Sequence, residues 1–157
     1  MEIPDTRSSR WSTFPALLGG KGMPVRILIA DDDVSIRHLL RRILEERPGW
    51  EVCGEASDGN DAVNKIRELA PDLAIIDLAM PDKNGLEAAR QVFAVSPLTN
   101  MLLLTVQEVS GELALAAREA GFRGAVTKGS GREVIMAVET LLDKGTLFDL
   151  EGSPGRA

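Results

Sequence analysis

Five residues of this sequence could do chemistry together: Asp31, Asp32, Asp77, Thr105 and Lys128. Each closes a short apolar run or directly follows one. VRILIA leads into Asp31 and Asp32, DLAIID ends in Asp77, NMLLLT ends in Thr105, and GAVT precedes Lys128. Unit charges 4 Å apart repel by about 4 kcal/mol at an effective dielectric of 20. Three carboxylates gathered in one place therefore need a cation, and Mg²⁺ suits them because it takes a few carboxylates plus waters and phosphate oxygens. A carboxylate can also attack phosphorus to give an acyl phosphate. In that reaction the metal and Lys128 would neutralise the transferring phosphoryl oxygens, and Thr105 would hydrogen-bond one of them. Asp77 is the best placed nucleophile, since a continuous apolar run delivers it.

Singly, each group has a plainer role. A strand-terminal Asp often only caps the next helix, as Asp33 is expected to do. Alone, Lys128 would read as a solvated lysine and Thr105 as a turn residue. Their joint placement at strand ends is what points to a site, and it requires elements that bring those ends to one edge.

Those elements can be read from periodicity. The run 25–30 is β-branched and apolar on both faces, as a central parallel strand should be. Ile36, Leu39, Leu40, Ile43 and Leu44 then make a helical stripe closed by Pro48 and Gly49. WEVCGE at 50–55 is less uniformly apolar and reads as an edge strand. Asp58 can cap a helix that runs to about Ala70 with Val63, Ile66 and Ala70 inward, and Pro71 stops it. The strand 72–77 follows, then a loop through Gly85 and a helix with Leu86, Ala89 and Phe93 on one face. After the strand 100–105, a helix over 108–120 places Leu113, Ala116, Ala117 and Ala120 inward and closes at Gly121. A short strand 124–127 precedes a last helix, 131–144, with Val134, Ala137, Val138, Leu141 and Leu142 inward. Strands alternating with helices predict a parallel sheet covered on both faces, with all strand C-termini on one edge.

The 157 residues, 44% of them hydrophobic, suffice for one core of ordinary domain size. A net charge of −6 disfavours a broad nucleic-acid footprint and suits protein partners or metal-bound phosphates. The single cysteine, Cys53, excludes an internal disulfide and fits a reducing compartment. No apolar run reaches the length needed to span a bilayer, and the N-terminal stretch lacks a secretory pattern. A cytoplasmic protein is expected. Residues 1–22 read as a flexible extension, 23–145 as the folded domain, and 146–157 as a tail.

The stretches ILIADDD and DLAMPDKNGLEAAR, with the strand-terminal Thr105 and the late Lys128, resemble the receiver domain of two-component response regulators over about residues 24–145. The resemblance implies a flavodoxin-like (CheY-like) doubly wound sheet with strand order 2-1-3-4-5. It implies Asp77 as phosphoacceptor, Asp31, Asp32 and Asp77 with the Ala79 carbonyl as the Mg²⁺ site, and Thr105 and Lys128 as the pair that senses the phosphoryl group. A sensor histidine kinase or phosphotransfer protein would supply the phosphoryl group. The domain would be a phosphoacceptor, not an enzyme with a substrate of its own, and a phosphorylation-dependent homodimer is compatible with it.

GEASDG and AREAGFRGAVTK are most similar to receivers of the NarL/FixJ type, which usually precede a helix-turn-helix domain. Too few residues follow Lys144 here to form one, so a stand-alone receiver or a fragment is expected. Ala125 stands where receivers commonly carry Tyr or Phe. Val106 replaces a commonly smaller residue and is expected to narrow access to Asp77. Ala79 and Gln107 occupy positions that tune dephosphorylation, and Gly129 replaces a common Pro. Two rivals remain: a haloacid dehalogenase-like phosphohydrolase, loosely suggested by DDDVS at 31–35, and an interaction module that is never phosphorylated.

Among other residues, His38 and the charged set Arg41, Arg42, Glu45 and Glu46 read as a solvated helix face. Cys53 reads as a small buried hydrophobe and Trp50 as a rim residue.

Overall fold

The computed structural model describes residues 22–144 and Leu147. The flexible extension and tail expected at the two ends lie almost wholly outside the described residues. In chain order the elements are β1 (Val25–Ala30), α1 (Val34–Glu45), β2 (Trp50–Ala56), α2 (Gly59–Leu69), β3 (Leu73–Asp77), α3 (Gly85–Val95), β4 (Asn100–Thr105), α4 (Gly111–Ala120), β5 (Gly124–Thr127) and α5 (Gly131–Lys144). The five strands are parallel and ordered β2-β1-β3-β4-β5, the order that the resemblance implies.

Two apolar layers sandwich the sheet. Ile27 and Ile29 of β1, Leu73 and Ile75 of β3, and Leu102 and Leu104 of β4 meet α1 and α5 through Leu40, Leu44, Val134 and Val138. The alternate residues, Leu28, Ala74, Ile76 and Leu103 among them, meet α2, α3 and α4 through Val63, Ile66, Ala88, Val92 and Ala117. β3 is buried along its whole length, because it has strands on both sides and helices on both faces. That is why its sequence shows no alternation. At about 1.5–3 kcal/mol for each fully buried aliphatic side chain, β1, β3 and β4 dominate the core.

Helix ends obey local chemistry. Asp33 caps α1, accepting from the Ser35 and Ile36 N–H groups, and Asp58 caps α2. Asn84 and Glu87 form a reciprocal capping box at the start of α3. α4 starts at Gly111 behind a Ser110 cap, three residues later than expected, and closes on Gly121 at φ 110°.

Four expectations about burial change. Phe93 is 54% exposed, because Ala88, Ala89 and Val92 occupy the buried stripe of α3. Ala70 is exposed in a left-handed cap at φ 44° instead of facing inward. Leu39 is 41% exposed at the margin of the α1 stripe, and Cys53 is only half-buried.

β1 and β2 carry a register shift: Ile27 pairs with Val52 but Leu28 pairs with Gly54. Val52 and Trp50 pack with the α1 layer, whereas Ala56 packs with the α2 layer. The extra residue thus reverses which face each later side chain of β2 meets.

Candidate functional site

The C-terminal edge of the sheet gathers the expected residues. Asp31 directly follows β1, Asp77 ends β3, Thr105 ends β4 and Lys128 follows β5. The Asp77 turn is tight: Leu78 N–H donates to the Leu104 carbonyl and Gly85 N–H to the Leu78 carbonyl, both at 2.8 Å. A Cβ built on Gly85 would lie 2.5 Å from the Asp77 carbonyl oxygen, so only glycine fits where α3 begins.

Asp31, Asp32 and Asp77 each present a carboxylate oxygen, and these oxygens all lie within 4.8 Å of one another. Asp31 is fully buried and Asp77 is 3% exposed, while Asp32 faces solvent. Lys128 Nζ lies 2.9 Å from Asp31 Oδ2 and 3.3 Å from Asp77 Oδ1. Apart from that ion pair, the buried Asp31 Oδ2 accepts no hydrogen bond among the described residues. Three carboxylates and a buried oxygen short of donors fit a hard divalent cation that has oxygen ligands and retains waters.

Burial, followed by the nearby Asp31 charge, raises the Asp77 carboxyl to about 6 against the pull of Lys128 and the Ala79 N–H. Burial also disfavours the charged form of Lys128, but the Asp31 and Asp77 carboxylates outweigh it and hold the ammonium above its ordinary 10.5. Thr105 is buried and its Oγ1 accepts the Gln107 N–H at 3.1 Å. It follows Leu104, the register partner of Asp77, and its carbonyl accepts the Lys128 N–H at 2.8 Å. Ala79 sits two residues past Asp77 and donates its N–H to Asp77 Oδ1 at 3.4 Å.

Val106, expected to narrow access to Asp77, is 79% exposed. Ala125 lines an open groove of about 370 Å³ with Val109, Val126, Thr127, Met136 and Leu147. His38 and Arg42 are exposed as expected, and Trp50 lies under the Arg47 guanidinium at 4.9 Å.

The residue reading missed a network beside the acidic turn. Arg37 and Arg41 both hydrogen-bond Glu55, and Arg37 also reaches the Asp31 carbonyl. Glu45, taken as solvated, accepts the Val52 N–H. The spacing of Arg37 and Arg41, one turn apart on α1, hints at a shared partner but does not name Glu55.

A family model for the response regulator receiver domain matches residues 27–139. The chain belongs to that receiver family.

Relatives and solved structures agree. The receiver is 36% identical over 118 residues to the response regulator UvrY of Escherichia coli, covering 74% of this chain and 54% of that protein. It is 35% identical over 122 residues to a protein-glutamate methylesterase/protein-glutamine glutaminase of Myxococcus xanthus, covering 78% of this chain and 34% of that one. The chain thus spans about a third of the methylesterase and about half of UvrY. A LuxR-family response regulator from Aurantimonas superposes with a TM-score of 0.73 at 36% identity, covering 78% of this chain and 87% of that one. The NarL receiver domain from Mycobacterium tuberculosis gives 0.72 at 28%, covering 78% and 98%.

The expected likeness to NarL/FixJ-type receivers therefore holds, and a role in two-component signalling goes with membership. A receiver is a signalling domain. The phosphohydrolase reading needs Asp31 as the attacking group, and Asp31 is fully buried against Lys128. Among the described residues, no helix is long and apolar enough to cross a membrane.

Proposed function

We propose that this receiver accepts a phosphoryl group on Asp77 from a histidine kinase or a phosphotransfer protein and thereby switches a partner-binding surface. The single observation that carries the reading is the position of Lys128 Nζ between Asp31 and Asp77 at the sheet edge. An ammonium held there faces the place where negative charge grows during transfer.

An Asp77 carboxylate oxygen attacks phosphorus and forms the P–O bond of an acyl phosphate. The P–N bond of the phosphohistidine donor breaks, and the departing imidazole nitrogen keeps the electron pair and takes up a proton. With its carboxyl near 6, Asp77 is mostly ionised at neutral pH and ready to attack. Asp31, Asp32, Asp77 and the Ala79 carbonyl would hold Mg²⁺, which supplies charge neutralisation at the phosphoryl oxygens. Lys128 adds a second positive charge, and the Thr105 hydroxyl turns from Gln107 to donate to a phosphoryl oxygen.

Both residues flank β5, so drawing them inward biases a two-state surface around α4, β5 and α5. The net charge of −6 favours a protein reader, a second phosphorylated copy among the candidates, over direct nucleic-acid contact by this chain. The reading places the protein in the cytoplasm.

Incubation with acetyl phosphate and Mg²⁺, followed by intact-mass measurement, should show one added phosphoryl group, and Asp77→Asn should remove it. If the wild type takes up neither phosphoryl nor beryllofluoride, the proposal fails and a receiver fold that acts without phosphorylation replaces it.

A further inference from the structure

Apart from Lys128, one cation among the described residues holds the acidic turn. Arg37 lies one turn into α1 with its side chain 16% exposed. Its Nη1 donates to the Asp31 carbonyl oxygen at 2.6 Å, and its Nε donates to Glu55 Oε1 at 2.9 Å. The other Glu55 oxygen accepts from Arg41 Nε at 2.7 Å. Burial alone would favour neutral Glu55, but the Arg41 and Arg37 hydrogen bonds outweigh it and keep the carboxyl below its ordinary range. Glu55 is therefore a charged anchor at neutral pH.

The Asp31 backbone is held at two consecutive peptides. Its N–H, in the peptide before it, donates to the Ala56 carbonyl at 3.0 Å, and its carbonyl, in the peptide after it, receives the charge-assisted bond from Arg37. That carbonyl belongs to the peptide unit leading into Asp32. The Asp32 side chain is exposed, so packing does not aim its carboxylate. Its direction is set by the backbone on either side: the 31–32 peptide, held by Arg37, and the 32–33 peptide, whose Asp33 N–H donates to Asp31 Oδ1 at 2.9 Å. A guanidinium can hold two acceptors in a fixed fork, which a lysine cannot.

We infer that Arg37 is a positioning residue for the divalent cation: braced by Glu55, it fixes the Asp31–Asp32 peptide and so aims the exposed Asp32 carboxylate toward Asp31 and Asp77. This rests on the proposed cation site. Arg41 shares the same carboxylate but has no hydrogen bond to the turn, so it separates aiming the cation ligand from merely tying α1 to β2.

The test is a Mg²⁺ titration of the metal-free full chain, followed by amide chemical shifts, with thermal melts in chelator alongside. Outer partners of metal ligands typically contribute about 10–100-fold in affinity. Arg37→Ala should weaken Mg²⁺ binding about tenfold, while Arg41→Ala stays within about twofold although both melt at similarly lowered temperatures. Arg37→Lys should fall between, since one ammonium cannot hold both acceptors. A Kd for Arg37→Ala within twofold of wild type, or an equal loss in Arg41→Ala, overturns the inference and leaves the cation site standing. If Arg37→Ala does not fold, Glu55→Gln decides: it should weaken binding about two- to threefold, and an unchanged Kd overturns the inference. A wild type that binds no Mg²⁺ overturns the cation site itself.

Discussion

Lys128 Nζ stands 3.3 Å from Asp77 Oδ1 while also contacting the fully buried Asp31 at 2.9 Å. One ammonium thus serves two carboxylates. Removing it leaves two acids facing each other with little water between them. Lys128→Met should lower the unfolding free energy at pH 7.5 by about 2 kcal/mol in chelator. Urea unfolding measures the loss, and saturating Mg²⁺ should recover part of it.

Asp77 makes stability depend on pH. Its carboxyl ionises near 4 in the unfolded chain but at about 6 in the folded one. Between those values the folded state holds the extra proton, so stability falls as pH rises through the window, and the deficit is complete above it. Asp77→Asn should therefore be more stable than wild type by about 1–2 kcal/mol at pH 7.5, and equal to it near pH 4. Denaturant melts in chelator at both pH values check this; a constant difference would contradict it.

Asp32 faces solvent, so its carboxylate contributes little to folding, and in the proposed cation site its role would be metal capture. Asp32→Ala should leave chelator-treated stability within about 0.5 kcal/mol of wild type. It should nevertheless abolish most of the rise in melting temperature that Mg²⁺ gives the wild type, because that rise is linked to binding. Paired thermal melts with and without Mg²⁺ read both effects.

Gly85 tests the loop that fixes Asp77. An added methyl meets the Asp77 carbonyl oxygen at 2.5 Å and the Leu78 Cα at 3.0 Å, and backbone cannot step aside cheaply. Gly85→Ala should cost about 2–4 kcal/mol. It should also slow acyl phosphate formation at equal protein concentration, which intact-mass time courses follow.

Asp31, Asp77, Thr105 and Lys128 were legible because parallel strands carry their own signature, an apolar run, and deliver their last residues to one edge. Asp33 and Asp58 were legible as caps because capping is a local interaction. Phe93 was not, since the i, i+3, i+7 set from Leu86 and the set through Ala88 and Val92 differ by a small rotation, and only the packed neighbours choose between them. Nor was the Arg37–Glu55–Arg41 network. Simple alternation from Trp50 and Val52 would turn Glu55 toward α2, and the register shift that turns it toward α1 has no turn residue to announce it beyond Gly54.

That shift gives β2 a reading frame. Deleting the extra residue, Cys53, would restore simple alternation with β1. Glu55 would then stand two residues from Val52, so it would keep the two arginines, and Ala56 would keep its place in the α2 layer. A single-codon deletion at that position would thus remove the bulge and leave the faces of the strand as they are. Length variation among descendants of this sequence should be tolerated at Cys53 as well as in the loops.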